Sequence, residues 1–441
     1  MSANGCYTDI TESCVASMSL AERKTLGQYM TPSMIGDMMA VRLFNGVHAN
    51  GSMFGTPSVI DPACGTGELL LAVHRVCPSA RLSGCDVDPR MIDAAVANLS
   101  ACNVPTNGIR HVSMFDGESL GLHGRYDAVI GNPPYLVLRK DDERLRGKGV
   151  AEFASLHEAG WLNAFALFIE YSLLLLRDGG RMVLLVPPSV NNGAYFRRIR
   201  RRMLELGRIE DLTIIRDNHI FGDAMTAVEI VLMTRTEDGF KKNVRASDAW
   251  LWDANGDGSD FVLTDDKTWL SSFCAGKATI SQYGFTVRTG SIVWNQHKAE
   301  FSDAGGDSML RCVFARDIAT DGTLVMSDKI SAPGHYLPQL AARIDCGPAI
   351  VANRMVGSIE CPSLRFAMIP AGVRFFAENH VNVIIGGSVN ETKELYDSLM
   401  DVKSEDLSRY LRAVTGNSQC SARELGSLPL VWRQSDIEPS L

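Results

Sequence analysis

From about residue 56 the chain alternates short apolar runs with segments whose apolar positions recur every three to four residues. Ser58-Val59-Ile60 runs into Asp61, then the tight "PACGTG", then a helical pattern opening near Glu68. "ARLSGCDVDP" reads as the next strand and "RMIDAAVANL" as its helix. "GIRHVSMFD" ends at Asp116 and "YDAVIGNPPY" ends at Tyr135. A long helix from about Asn163 to Leu176, the strand "RMVLLVPP" and the helix "AYFRRIRRRMLEL" complete the pattern. Period-two and period-3.6 segments in alternation predict an α/β fold with a doubly wound, mostly parallel sheet. Ligands bind such sheets at the carboxyl ends of the strands. The polar residues ending these strands are Asp61, Asp86, Asp116 and Asn132, so all four are expected along one rim.

Near residue 235 the texture changes. "RTEDGFKKNVRASD" and "DANGDGSD" are polar and turn-rich, which places a boundary at roughly 236–260. We therefore expect one domain over residues 1–240, with a helical N-terminal segment over 1–55, and a second, mixed α+β domain over 245–441. The chain has 441 residues, 46% of them apolar and 21% charged, which suits an ordinary globular protein of two or three domains. A net charge of −8 argues against nucleic-acid binding over the whole surface and leaves room for a local basic face. Eleven cysteines, none in a C-x-x-C pair, read as reduced cytosolic thiols, so we expect no metal. Phe165 to Val186 is the most apolar stretch, but Glu170, Arg177, Asp178 and two glycines interrupt it; it predicts a helix, a turn and a strand, with no membrane association.

The rim residues narrow the chemistry. "DPACGTG" has Gly65 and Gly67 but Leu70 where a dinucleotide fingerprint carries its third glycine, and no P-loop occurs. Ala63, Gly65 and Gly67 let a ligand approach the backbone, and the helix start behind them favours an anionic group. Asp61 beside them would repel a pyrophosphate but suits a ligand end bearing both ammonium and carboxylate. Asp86 ends the next strand, where a carboxylate can accept from two ribose hydroxyls. Its neighbour Asp88, just before Pro89, reads as a helix cap. Asp116 could accept from an adenine amino group; the alternative is a turn aspartate. Amino acid, ribose and adenine in that order describe S-adenosyl-L-methionine.

"GNPPY" then acquires a purpose. Asn132, Pro133, Pro134 and Tyr135 form a stiff corner beside the expected cofactor methyl group. An amine attached to a base or amide is a poor nucleophile because its lone pair is delocalised. Two acceptors on its two hydrogens, the Asn132 side-chain oxygen and the Pro133 carbonyl, would pull it toward tetrahedral geometry. Tyr135 can stack on the flat group carrying the amine. The alternative is a proline-bracketed loop with a core tyrosine.

Together "GQYMTP", "DPACGTGELL", "GCDVDP", "SMFDG" and "VIGNPPY" resemble the gamma-class amino-methyltransferases that modify adenine N6 in DNA. The resemblance covers roughly residues 20–235. It implies a class I S-adenosylmethionine-dependent methyltransferase fold, double-stranded DNA as substrate, base flipping, and a role in restriction–modification in a prokaryotic cytoplasm, at the nucleoid. It further implies that Thr31, with Tyr29 and Pro32, closes over the methionine end of the cofactor, and that Phe221 packs against the flipped base. The family's acidic position falls on Asp116 or is replaced at Ser113. A restriction endonuclease or a separate specificity subunit is the implied partner, and the second domain is the expected target-recognition domain. The same tetrad also occurs in methyltransferases of a glutamine amide or a ribosomal RNA base.

Two sets of basic residues are candidates for DNA contact. "FRRIRRRMLELGR" holds six arginines on an amphipathic helix, able either to grip phosphates or simply to face solvent. In the second half Lys298, Arg343, Arg354 and Arg365 are candidates of the same kind.

Overall fold

The computed structural model describes residues 7–45, 55–114, 123–139, 161–215, 228–253, 261–330, 332–339, 342–357, 362–415 and 419–431. Two compact units emerge: residues 1–251 with 259–265, and residues 252–258 with 266–441. The divide lies later than residue 240. Phe240 and Val244 pack on the core of the first unit, and Asn243 donates to the buried Leu204 carbonyl at 2.9 Å, so the segment after 240 belongs there.

In the first unit three helices, α1 (Asp9–Ala16), α2 (Leu20–Leu26) and α3 (Ser33–Phe44), precede the alternating region. That region runs β1 (Ser58–Asp61), α4 (Glu68–Val76), β2 (Arg81–Asp86), α5 (Pro89–Ala101), β3 (Ile109–His111) and β4 (Tyr126–Gly131). A small antiparallel pair, β5 (Val137–Arg139) with β6 (Trp161–Asn163), follows. Then come α6 (Ala164–Leu175), β7 (Leu176–Val186), α7 (Arg197–Leu206), β8 (Gly207–Ile215), β9 (Val228–Arg235) and α8 (Phe240–Ala246). Seven strands form one sheet in the order β3-β2-β1-β4-β7-β9-β8, in which β9 alone runs against its neighbours. The fold is thus the doubly wound, mostly parallel sheet that the alternating pattern predicts.

Period-two alternation divides the strand side chains between two apolar layers. Val129, Leu184 and Val186 join α6 and α7 on one face. Ala128, Ile130, Val183 and Leu185 join α3 and α4 on the other. Helix α6 is buried on almost every side, as its continuous apolar sequence requires.

The arginine-rich helix α7 turns Ile199, Met203, Leu204 and Leu206 into the core. Two of its arginines, Arg200 and Arg202, serve the fold. Arg200 is buried, with Nε donating to the Phe261 carbonyl at 3.1 Å and Nη1 to the carbonyls of Val190 and Gly193 at 3.0 and 2.9 Å. Arg202 pairs with buried Glu170 at 2.8 Å, and Arg201 and Arg208 pair with Glu205 and Glu210. For Arg200 and Arg202 the internal role prevails; Arg201 is 60% exposed beside Glu205, and Arg208 lies in β8.

The second unit is mixed α+β. One antiparallel sheet joins Thr286–Thr289, Val381–Ile385, Ala349–Asn353 and Phe366–Ile369. A second holds Tyr336–Pro338, Met309–Val313, Arg374–Ala377 and Asp345–Cys346. Helices Val389–Met400 and Ser404–Thr415 contribute Leu395, Leu399, Leu407 and Leu411 to its main core. Among the described residues no helix is long and apolar enough to cross a membrane.

Arg200→Met would strip donors from three carbonyls within the core of the first unit. Orphaning a buried polar group costs about 1–3 kcal/mol, so we expect a loss of about 3 kcal/mol or more in urea unfolding. A loss below about 1 kcal/mol would show that these three bonds do not anchor the segment after β7.

Candidate active site

The carboxyl ends of β1, β2 and β4 open onto a cleft of about 1040 Å³, its open mouth included. That is room for a nucleoside-sized ligand. Asp61, Ala63, Gly65, Asp86 and Asn132 line it, and so do Tyr29 and Thr31 from the N-terminal segment. Pro32 stands just outside as the N-cap of α3. Sequence positions more than a hundred residues apart therefore meet in one place.

Gly27 explains how the N-terminal segment reaches this place. Its φ of 64° suits glycine, and a Cβ there would come within 2.9 Å of Leu136 and 3.1 Å of Pro134. "GQYMTP" thus lies directly against the double-proline corner. From there it grips Asn132. The side-chain nitrogen of Asn132 donates to the Tyr29 carbonyl at 2.8 Å and to the Thr31 hydroxyl at 3.0 Å. A carbonyl can only accept, so the amide orientation is determined. Both hydrogens are used, and the oxygen Oδ1 is left buried, with no donor reaching it among the described residues.

Tyr135 is positioned differently. Its hydroxyl donates to the Leu185 carbonyl at 3.1 Å, and its ring meets Phe165 edge-on at 6.3 Å. Pro134 lines the cleft, whereas Pro133 and Tyr135 do not. Burial raises the Tyr135 phenol well above its ordinary range, so the hydroxyl stays protonated and holds the ring by donating. Phe221 and Asp116 lie outside the described residues; Ser113 lines the cleft between Val112 and Met114.

The acids separate by environment. Asp61 is almost wholly buried, and burial pushes its carboxyl up to about 8, with Asp86 nearby adding to the effect and the Ala63 amide at 3.1 Å opposing it. Burial also raises Asp86, although it accepts amide hydrogen bonds from Gly65 and Asp88, both at 3.0 Å. Asp88 shifts the other way. The Arg90 guanidinium bonded to it lowers its carboxyl, and it caps α5 while accepting from Gln28 at 3.1 Å. Asp88 is the helix cap expected from "DVDP", and Asp86 is the carboxylate that faces the cleft.

The sequence reading passed over Gln28 and Glu68. Glu68 lines the cleft as the first residue of α4, and it holds Thr8 from 60 residues away, a separation to which pattern is blind. The cleft's other walls, Val87, Val112, Met114, Leu138 and Phe168, are apolar and suit a flat ring. Acids and apolar walls lining one cleft fit S-adenosylmethionine, whose amino-acid end is charged and whose base is flat. In the second unit Arg343, Arg354 and Arg365 donate to the carbonyls of Thr289, Asn379 and Ala315, while Lys298 is exposed.

A family model described as N-6 DNA methylase matches residues 3–268, well over half of the chain. The type II methyltransferase M.CvrRI of Paramecium bursaria Chlorella virus XZ-6E is 22% identical over 316 residues, 71% of this chain and 74% of that one. M.BanIII of Aneurinibacillus aneurinilyticus, also named a type II methyltransferase, is 26% identical over 228 residues, and the alignment covers 47% of this chain and 38% of that one. In a solved DrdV–DNA complex, a chain 10% identical shares the fold with a TM-score of 0.52 over 91% of this chain and 55% of its own length.

The position of Asp61 fixes a dependence on pH. Its folded carboxyl holds a proton from about 4 up to about 8, where the unfolded one, at 3.8, has lost it. The native state binds the extra proton, so stability falls as pH rises through that window. Melting temperatures measured from about pH 5 to about pH 9 should decline less for Asp61→Asn than for the wild type. Parallel curves would show that Asp61 titrates as an ordinary carboxylate.

Proposed function

Because the chain belongs to the N-6 DNA methylase family, we propose that it transfers a methyl group from S-adenosylmethionine to the N6 amine of a flipped adenine at a specific sequence in double-stranded DNA. The names of its type II methyltransferase relatives support a place in restriction–modification. The observation that carries this reading is the Asn132 amide, with both hydrogens engaged and its buried oxygen unclaimed. An acceptor fixed in this way is suited to a donor that arrives with the substrate.

The cofactor supplies an electrophilic methyl group. The protein's part is to bind, orient and exclude water. Asp86 accepts from the ribose hydroxyls, Asp61 faces the amino-acid end, and Ala63 and Gly65 leave the backbone open to it. Asn132 Oδ1 takes one hydrogen of the target amine and the Pro133 carbonyl the other, which returns the lone pair to nitrogen. Pro134 limits the motion of that carbonyl. The proton released after transfer passes to solvent, so no strong base is required. Flipping the base costs a few kcal/mol, and stacking on Tyr135 and Phe221 recovers about 1–3 kcal/mol per contact. Residues 245–441 carry sequence recognition in this proposal, since all the residues assigned to the chemistry precede position 222.

The test is to incubate the intact chain with the cofactor and genomic DNA and then to map N6-methyladenine. Methylation at one recurring sequence supports the proposal. Methylation that requires an added specificity subunit moves recognition out of this chain, and modification of a glutamine amide or of RNA instead defeats the assignment. Asn132→Ala should lower turnover on the order of 10²–10³-fold with cofactor affinity nearly unchanged. Thr31→Val removes one of two restraints on the same amide, so turnover should fall by roughly tenfold or less.

A further inference from the structure

Glu68 has two oxygens with different fates. Oε1 accepts from the Thr8 backbone amide at 2.9 Å and from the Thr8 hydroxyl at 3.0 Å. Oε2 is buried, and no donor reaches it among the described residues. The side chain is 5% exposed, yet it lines the cleft with Gly65, Thr66 and Met30, at the start of α4. An unpaired carboxylate oxygen in such a place is costly unless a ligand supplies the donor.

Thr8 is the N-cap of α1, and the contact continues beyond it. Thr11, fully buried, donates to the Thr66 hydroxyl at 2.9 Å and accepts from Asn98, which also donates to the Thr66 carbonyl at 2.8 Å. The Tyr7 hydroxyl reaches the Met30 carbonyl at 3.2 Å. The start of α1 is therefore bonded to two of the segments that line the cleft, at Met30 and at Thr66 and Glu68.

Resting on the S-adenosylmethionine reading above, we propose that Glu68 binds the cofactor's amino-acid ammonium through Oε2 and links cofactor binding to the docking of α1 through Oε1. An ammonium brings three donors and a full charge, which match the unclaimed acceptor. One carboxylate then serves ligand and helix together, so each steadies the other.

Titration calorimetry on the intact chain separates this from a purely structural role for Glu68. Two ligands are compared: S-adenosylhomocysteine, which keeps the amino-acid end, and 5′-methylthioadenosine, which lacks it. Glu68→Gln should weaken the first by about tenfold or more and leave the second within about twofold. The second ligand also reports that the variant is folded. In the wild type, S-adenosylhomocysteine should raise hydrogen-exchange protection across residues 9–16 more than 5′-methylthioadenosine does, and Glu68→Gln should abolish that difference. Equal weakening of both ligands, or no weakening of either, overturns the role of Glu68 alone. A wild type that binds neither ligand overturns the cofactor reading and this inference together.

Discussion

The candidate active site depends on two hydrogen bonds that use up the donors of one amide. Asn132 is held by the Tyr29 carbonyl and the Thr31 hydroxyl, across 103 and 101 residues of chain. Left to itself, an asparagine at a strand end could rotate and offer either face. With both hydrogens engaged it can present only its oxygen. The double proline, the close seat of Gly27 against Pro134 and Leu136, and the start of α3 at Ser33 all hold this arrangement in place. The site is an acceptor kept open by donors turned elsewhere.

The acids around it follow one rule with two outcomes. Asp61 and Asp86 are pushed toward the protonated form because burial outweighs their amide hydrogen bonds. Asp88, two residues from Asp86, is lowered because Arg90 and Gln28 reach it. Neighbouring residues of one type thus shift in opposite directions. A cationic ligand beside Asp61 and Asp86 would favour their ionised forms and so offset part of the cost of burying them.

Much of this fold could be read from the sequence, because strand and helix periods leave direct traces. The ends of β1, β2 and β4, the helix after "PACGTG" and the cap at Asp88 all follow from local pattern. Other features depended on partners far along the chain. Nothing local shows that β9 inserts between β7 and β8, since reversed and parallel buried strands carry the same apolar run. Glu68 looked like an ordinary helix start because its partner Thr8 lies 60 residues earlier. Tyr29 reaches Asn132 through its backbone carbonyl, an atom that every residue possesses and no motif can mark. Arg200 and Arg202 of "FRRIRRRMLELGR" were ambiguous for a related reason: their partners include Glu170 and the Phe261 carbonyl, on other elements.

The long span between Tyr29 and Asn132 also governs when the site can exist during synthesis. Thr8, Thr11 and Tyr29 leave the ribosome before their partners Glu68, Asn98 and Asn132 are made. Until β4 has emerged and paired with β1, "GQYMTP" has no amide to hold. The segment around Tyr29 therefore settles no earlier than Asn132, made 103 residues later, and its contacts must overcome the entropy of closing that loop. Strands β1, β2 and β4 can thus pair before the Asn132 amide is oriented, which waits until the Tyr29–Thr31 segment folds back onto it.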